Sequence, residues 1–207
     1  MFAVVMGCIA AGAVVSGCAT AERSAAEAES PAASAGQTCA QGGPCQVGDV
    51  GPGGGTVFYV APQRAAWGQV LEVAPATWSG GEDPEAPWCA TAAARTRVNT
   101  YLGLGDGRSN SSAIVTACGE DSAAGRAQAY RGGGRDDWYL PSKDELDRLY
   151  RQRASVEGLA PTLYWTSSDS SGAQDDPINA WYQRFDTGSQ YADRKVYRYR
   201  VRPVRSF

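Results

Sequence analysis

Histidine is absent from the 207-residue chain, which removes every mechanism in which a histidine activates a serine or cysteine nucleophile. No G-x-S-x-G or S-x-x-K pattern takes its place. There is no C-x-x-C pair either, so six cysteines without histidine make a zinc site a weak alternative. Paired acids are present as Asp136-Asp137, Asp144-Glu145 and Asp175-Asp176. Adjacent acids point apart on a strand and favour the dipole at a helix start, so they suit a glycosidase poorly. A hydrolase is the least favoured reading, and the chain is read as a non-enzyme.

The stretch Gly48-Asp49-Val50-Gly51-Pro52-Gly53-Gly54-Gly55-Thr56-Val57-Phe58-Tyr59-Val60 has the glycines of a phosphate loop but lacks the rest. A phosphate loop leads into a helix N-terminus and carries Gly-Lys-Ser/Thr. Here the glycines lead into a β-branched and aromatic run with no lysine after them, so the stretch reads as a turn feeding a strand.

Long hydrophobic runs are also missing. The apolar start, MFAVVMGCIAAGAVVSGC, is too short and too rich in Gly and Ala for a transmembrane helix and reads as a signal peptide over residues 1–17. It has no basic residue before the apolar run, a departure from the usual pattern. Val15-Ser16-Gly17-Cys18 resembles a bacterial lipobox, with Cys18 as the lipidated residue and ordinary secretion as the alternative. Residues 18–45 read as a tether, since Ala21 to Gln37 holds no aromatic residue and no apolar periodicity. Ala19 after Cys18 lacks the aspartate that would resemble an inner-membrane retention signal, which favours an outer-membrane or cell-surface location in a bacterial envelope. The membrane is thus a partner through the lipid anchor only.

Cys39, Cys45, Cys89 and Cys118 remain, an even number in an exported chain, and three connectivities are formally possible. Cys39 with Cys45 and Cys89 with Cys118 is the favoured pairing. A net charge of −3 gives no case for nucleic acid, yet Arg194 to Phe207 holds six basic residues and no acid.

The domain, residues 46–207, opens with strands at Thr56–Val60 and Gly68–Ala74 joined by APQRAAW. Asn110 is placed to cap a short helix through Thr116, and a second helix spans Ala123 to Arg131 before three glycines. Ser142 and Glu145 form a capping box for a third helix to about Arg153, with Leu146, Leu149 and Tyr150 as its apolar stripe. LYWTSS, AWYQRF, SQYADRK and YRYRVRPVRSF then return to strands. In the last, Tyr197, Tyr199 and Val201 alternate with Arg198, Arg200 and Arg202. The class is α+β, with antiparallel strands and two or three helices.

GDVGPGGGTVFYV, SNSSAIVTAC, DDWYLPSKDELDRLY, YWTSSDSS, NAWYQRFDTGSQY and YRVRPVRSF together resemble the C-terminal domain family of Legionella collagen-like (Lcl) adhesins, over Gln46 to Phe207. No Gly-X-Y collagen segment is present. The resemblance implies a compact C-type lectin-like or formylglycine-generating-enzyme-like fold and a surface module that binds sulfated polysaccharide. The related cysteine oxidation needs free thiols, whereas these four are expected in disulfides. No ligand-contacting residue is carried over from the family.

The ligand residues expected from the chain itself are Arg198, Arg200 and Arg202 as guanidinium forks for sulfate or carboxylate, with Tyr182 or Tyr191 as a stacking face. The competing reading pairs those arginines with acids such as those of the Ser142 helix. Of the other late aromatics, Trp165, Trp181 and Tyr197, most are expected in the core. Calcium on Asp169, Asp175, Asp176 and Asn179 competes with a plain solvated loop, which is preferred, so no metal and no cofactor is expected. An anionic polysaccharide is the expected partner, and a homotrimer could assemble a wider basic surface. The alternative is a structural or protein-binding envelope lipoprotein in which the same residues only hold the fold.

Overall fold

In a computed structural model, residues 36–170 and 176–207 are described. The signal peptide, Cys18, the tether as far as residue 35 and Asp175 lie outside them.

Structure that belongs to the domain is already present before residue 46. Thr38 accepts the role of cap for a single 3-10 turn, Cys39–Gln41, and the Cys39–Cys45 disulfide closes the loop behind it. Cys39 is buried against Val57 and Val70, so this loop is docked on the first two strands rather than belonging to the tether. A disulfide offers enough apolar surface to seat a short loop that has no other core.

Strand β1 (Thr56–Ala65) runs through most of the segment read as a connection, and reverses at Ala66-Trp67 into β2 (Gly68–Val73). Gly68, with φ of +118°, makes that reversal in a conformation other residues avoid. β1, β2 and the last strand β8 (Val204–Ser206) form one antiparallel sheet. The second sheet has the order β3-β7-β4-β5-β6, from β3 (Glu85–Pro87), β4 (Leu163–Asp169), β5 (Asn179–Arg184), β6 (Gln190–Arg194) and β7 (Arg198–Arg200).

One pair departs from the antiparallel expectation: β4 and β7 are parallel. β6 is antiparallel to β5 and β5 to β4, so β6 already runs in the direction of β4. The chain keeps that direction through the turn Lys195–Tyr197 and enters β7 parallel to β4.

The glycine-rich stretch does bind an anion, but an internal one. The amides of Gly53 and Gly55 donate to the Glu72 carboxylate, at 3.0 and 2.6 Å to Oε1. A Cβ on Gly51 would lie 2.5 Å from that carboxylate, so the glycines serve close approach.

Three α-helices lie among the described residues. α1 (Gly107–Cys118) starts before Asn110, whose side chain is buried and hydrogen-bonds both the amide and the carbonyl of Tyr101, at 2.8 and 2.7 Å, instead of capping. α2 (Ala123–Gln128) is capped by Ser122 and ends before the glycines. α3 (Lys143–Arg151) has the expected capping box and buries Leu146 and Leu149, each contributing about 1.5–3 kcal/mol by its burial.

The capping acid has a second role. Glu145 is fully buried, accepts from the amides of Ser142 (2.8 Å) and Gly105 (2.9 Å) and from the Tyr139 hydroxyl (3.3 Å), and so ties the loop before α1 to α3. Removal from water pushes its carboxyl up to about 7, against the pull of those amides.

α1 and α2 pack with Trp88, Trp165 and Val201 in one core cluster, crossed by the Cys89–Cys118 disulfide. Trp88 and Trp165 donate their indole N–H groups to the carbonyls of Thr166 and Ala86, which satisfies both buried polar groups. Leu146, Leu149, Tyr164, Phe185, Phe58 and Leu71 form a second cluster between α3 and the sheets.

Candidate functional site

The last run of the sequence is two strands, not one. Pro203 has no N–H to give a ladder, and between β7 and β8 the chain passes from one sheet to the other. The alternation of Arg198, Arg200 and Arg202 therefore does not put all three on a wet face. Arg198 is exposed and donates to the Glu85 carbonyl at 2.7 Å. Arg200 is half-buried, paired with Glu82 at 2.7 Å and bonded to the Asp83 carbonyl.

Arg202 is 1% exposed and its expected place in a solvent-facing anion site is corrected. Its Nε donates to Asp83 at 2.7 Å, and its other nitrogens reach the carbonyls of Ala74 and Gly158. Arg205 is likewise internal, bridging Glu72 at 3.0 Å and Asp137 at 2.8 Å. The carboxylates that consume the strip come from loops, from β2 and, for Lys195, from Asp169 at the end of β4, and not from the Ser142 helix. A buried guanidinium requires a counter-ion and filled acceptors, and both are present here.

The aromatic half of the expected site lies elsewhere. Tyr182 and Tyr191 are cross-strand neighbours, with ring centres 6.2 Å apart. Tyr191 is exposed, whereas Tyr182 is half-buried between Tyr191 and Tyr199, its ring 5.0 Å from the latter. Tyr199 alternates with Arg198 and Arg200 along β7, so these rings occupy the opposite face from the arginines. The Tyr199 hydroxyl also donates to Asp193 at 2.7 Å, which adds an acid to the aromatic side. Sulfate forks and stacking face are not brought together. Trp165 is core as expected; Trp181 is half-buried beneath the Lys143 ammonium, 4.9 Å from its ring, and Tyr197 is exposed.

Of the acids weighed for calcium, Asp169 and Asp176 are hydrogen-bonded within the fold, and Asp175 lies outside the described residues. The Lys195 ammonium is buried and donates to Asp169 at 2.6 Å, and Asp176 accepts from the Ile178 amide and the Asn179 side chain. Among the described residues no group of three or more His, Cys, Asp or Glu side chains could hold a metal ion. The acid pairs are also split: Glu145 is buried while Asp144 is exposed, and Asp137 is held by Arg205 and Arg108.

What remains available of the basic strip flanks the turn Lys195–Tyr197. Arg194 and Arg198 are exposed, with no carboxylate in ion-pair contact among the described residues, and Val196 and Tyr197 between them are 51% and 45% exposed. Arg194 is counted in the basic strip but not among the expected ligand residues, because the visible alternation starts only at Tyr197. Its signal is the inward turn of Lys195, which a linear pattern does not carry.

Among the described residues no helix is long and apolar enough to cross a membrane. No curated protein matches the chain. The profile of the Lcl C-terminal domain family matches residues 77–205, more than half of the sequence, from just after β2 to the middle of β8. β1 and β2 lie outside that match but are hydrogen-bonded to it through β8. More than half of the chain thus matches this one module, and the protein belongs to the Lcl C-terminal domain family.

Proposed function

We propose that this protein is a lipid-anchored envelope protein of the adhesin type, whose domain is non-catalytic and binds an anionic polysaccharide. The observation that carries this reading is the turn between β6 and β7, where Arg194 and Arg198 stand exposed without carboxylate partners among the described residues while the neighbouring cations are spent on the fold. Two guanidinium groups around a small apolar and aromatic tip suit a sulfated or carboxylated sugar chain, since the forks match oxyanions and the tip covers sugar C–H groups.

Full-length protein in detergent is expected to be retained on heparin resin at low salt. It should be released steeply as the ionic strength passes about 0.15 M, where the Debye length is about 8 Å. Absence of retention at low salt would leave the basic residues with a purely structural role and the domain as a structural or protein-binding module.

Anchoring is tested separately. An azido fatty acid supplied to cells is expected to label the protein, and Cys18→Ser should remove both the label and the membrane fraction. Wild-type protein found wholly in the soluble fraction would overturn the anchor.

A further inference from the structure

An open cleft of about 620 Å3 lies beside the Lys195–Tyr197 turn, lined by Ala90, Thr91, Arg95, Ile178, Arg194 and Val196 among others. Two arginines from segments about a hundred residues apart converge on it, and neither is in ion-pair contact with a carboxylate among the described residues. Apart from Thr91, the rest of the described lining is small and aliphatic. Among the described residues that line the cleft there is no aromatic plate for a base or a planar ring.

Both walls are held in place from within. Arg95 ends a 3-10 turn, Ala92–Arg95, capped by the Thr91 hydroxyl, and Ala94 of that turn is buried. The Cys89–Cys118 disulfide fastens the chain just before it to the end of α1. On the other side the Lys195 amide donates to the Ile178 carbonyl at 2.8 Å, and its carbonyl accepts from the Cys89 amide at 3.0 Å.

The Lys195 side chain joins the two walls from beneath. Its ammonium, completely buried, donates to the Thr96 carbonyl (2.7 Å), the Pro177 carbonyl (2.6 Å) and the Asp169 carboxylate (2.6 Å). Thr96 follows Arg95, Pro177 precedes Ile178, and Lys195 follows Arg194. One cation thus fixes three segments that each carry a lining residue. Two carbonyls and a carboxylate are the oxygen set a hard metal ion would take, and here the protein's own ammonium fills it.

We propose that this cleft is the primary anion subsite of the domain, in which Arg95 and Arg194 together hold one sulfate or carboxylate group of a polysaccharide, with Lys195 as a metal-free positioning residue. This rests on the polysaccharide reading above. The chemistry follows from the lining: two forks for an oxyanion, and a shallow aliphatic floor for the sugar ring or an acetyl methyl.

The test uses full-length protein in detergent on heparin resin and on fully desulfated, N-acetylated heparin resin, which keeps only carboxylates. Arg95→Gln with Arg194→Gln is expected to weaken binding on the order of a hundredfold, each lost charge-assisted contact being worth about tenfold. Arg198→Gln should shift elution less. Retention of wild type on heparin alone assigns the oxyanion as sulfate, and on both resins as carboxylate. Lys195→Met should reduce retention with the far-UV spectrum unchanged, while EDTA or added calcium leaves the wild type unaffected.

If wild type binds and the double variant elutes with it, the cleft assignment is wrong and the polysaccharide reading stands. If wild type is retained on neither resin, both fall. A calcium requirement in the wild type, or a folded Lys195→Met protein that binds normally, would overturn the role of Lys195. Should Lys195→Met fail to fold, the exposed Arg95 and Arg194 still decide the site.

Discussion

Arg202→Met is expected to destabilise the domain by about 3–5 kcal/mol, the usual cost of removing one member of a buried ion pair. For a domain of this size that lowers the melting temperature by on the order of 10 °C. The reason is what is left behind. Asp83 is buried and takes 2.7 Å bonds from the Arg202 Nε and the Tyr164 hydroxyl, and a 2.6 Å bond from the Trp78 indole. Without the guanidinium it keeps two donors but loses its counter-ion, and the carbonyls of Ala74 and Gly158 lose their donor. Adding Asp83→Asn removes the stranded charge while keeping an acceptor, so the double variant should be less stable than wild type by clearly less than the two single losses summed. Arg198→Gln, at the surface end of the same run, should stay within about 0.5 kcal/mol of wild type. Chemical denaturation of the four proteins measures the cycle. An Arg202→Met protein that melts like wild type but loses heparin retention would restore Arg202 to the surface.

Stability is expected to fall by about 3 kcal/mol as pH rises from below 4.5 to above 7, through Glu145 alone. In the folded state its carboxyl is pushed up to about 7, chiefly by burial, from an ordinary value of 4.5. Between those values the folded protein holds a proton that the unfolded chain has released. The contribution is therefore complete below about pH 4.5 and is lost as pH rises through about 7. The absence of histidine leaves no other side chain with an ordinary pKa between pH 5 and 8, so the window is clean. Asp186 acts in the opposite sense but outside it. A hydrogen bond from Arg184 holds its carboxyl down to about 2, so its contribution is lost only as pH falls below the ordinary carboxylate range. Urea titrations at pH 5 and pH 8 should show the difference, and Glu145→Gln should flatten it. A wild-type stability that is level from pH 5 to 8 would show the carboxylate to be held ionised by its three donors.

The capping box of α3 was legible because its bonds span three residues: the hydroxyl of Ser142 and the carboxylate of Glu145 meet wherever that backbone turns helical. The glycine-rich stretch could be recognised as a turn for a similar local reason, since no helix and no lysine follow it. The α+β class and the positions of most strands likewise follow from short-range pattern, and the even cysteine count in an exported chain points to two disulfides, of whose three possible connectivities the favoured one is present. Those features are properties of the sequence by itself. Which cation meets which carboxylate is not. Arg202 finds Asp83 across 119 positions and Arg205 finds Glu72 across 133. Neither partnership exists until the strands before and after the helices are stacked. The alternating arginines looked like one wet face because a strand puts every second residue on one side, yet Pro203 ends the ladder and the chain changes sheets, so that rule stops between Arg200 and Arg202. The inward turn of Lys195, and with it the meeting of Arg95 and Arg194 on one cleft, was decided only by tertiary structure, because a buried charge goes where its counter-ion is and that place is set by the whole fold.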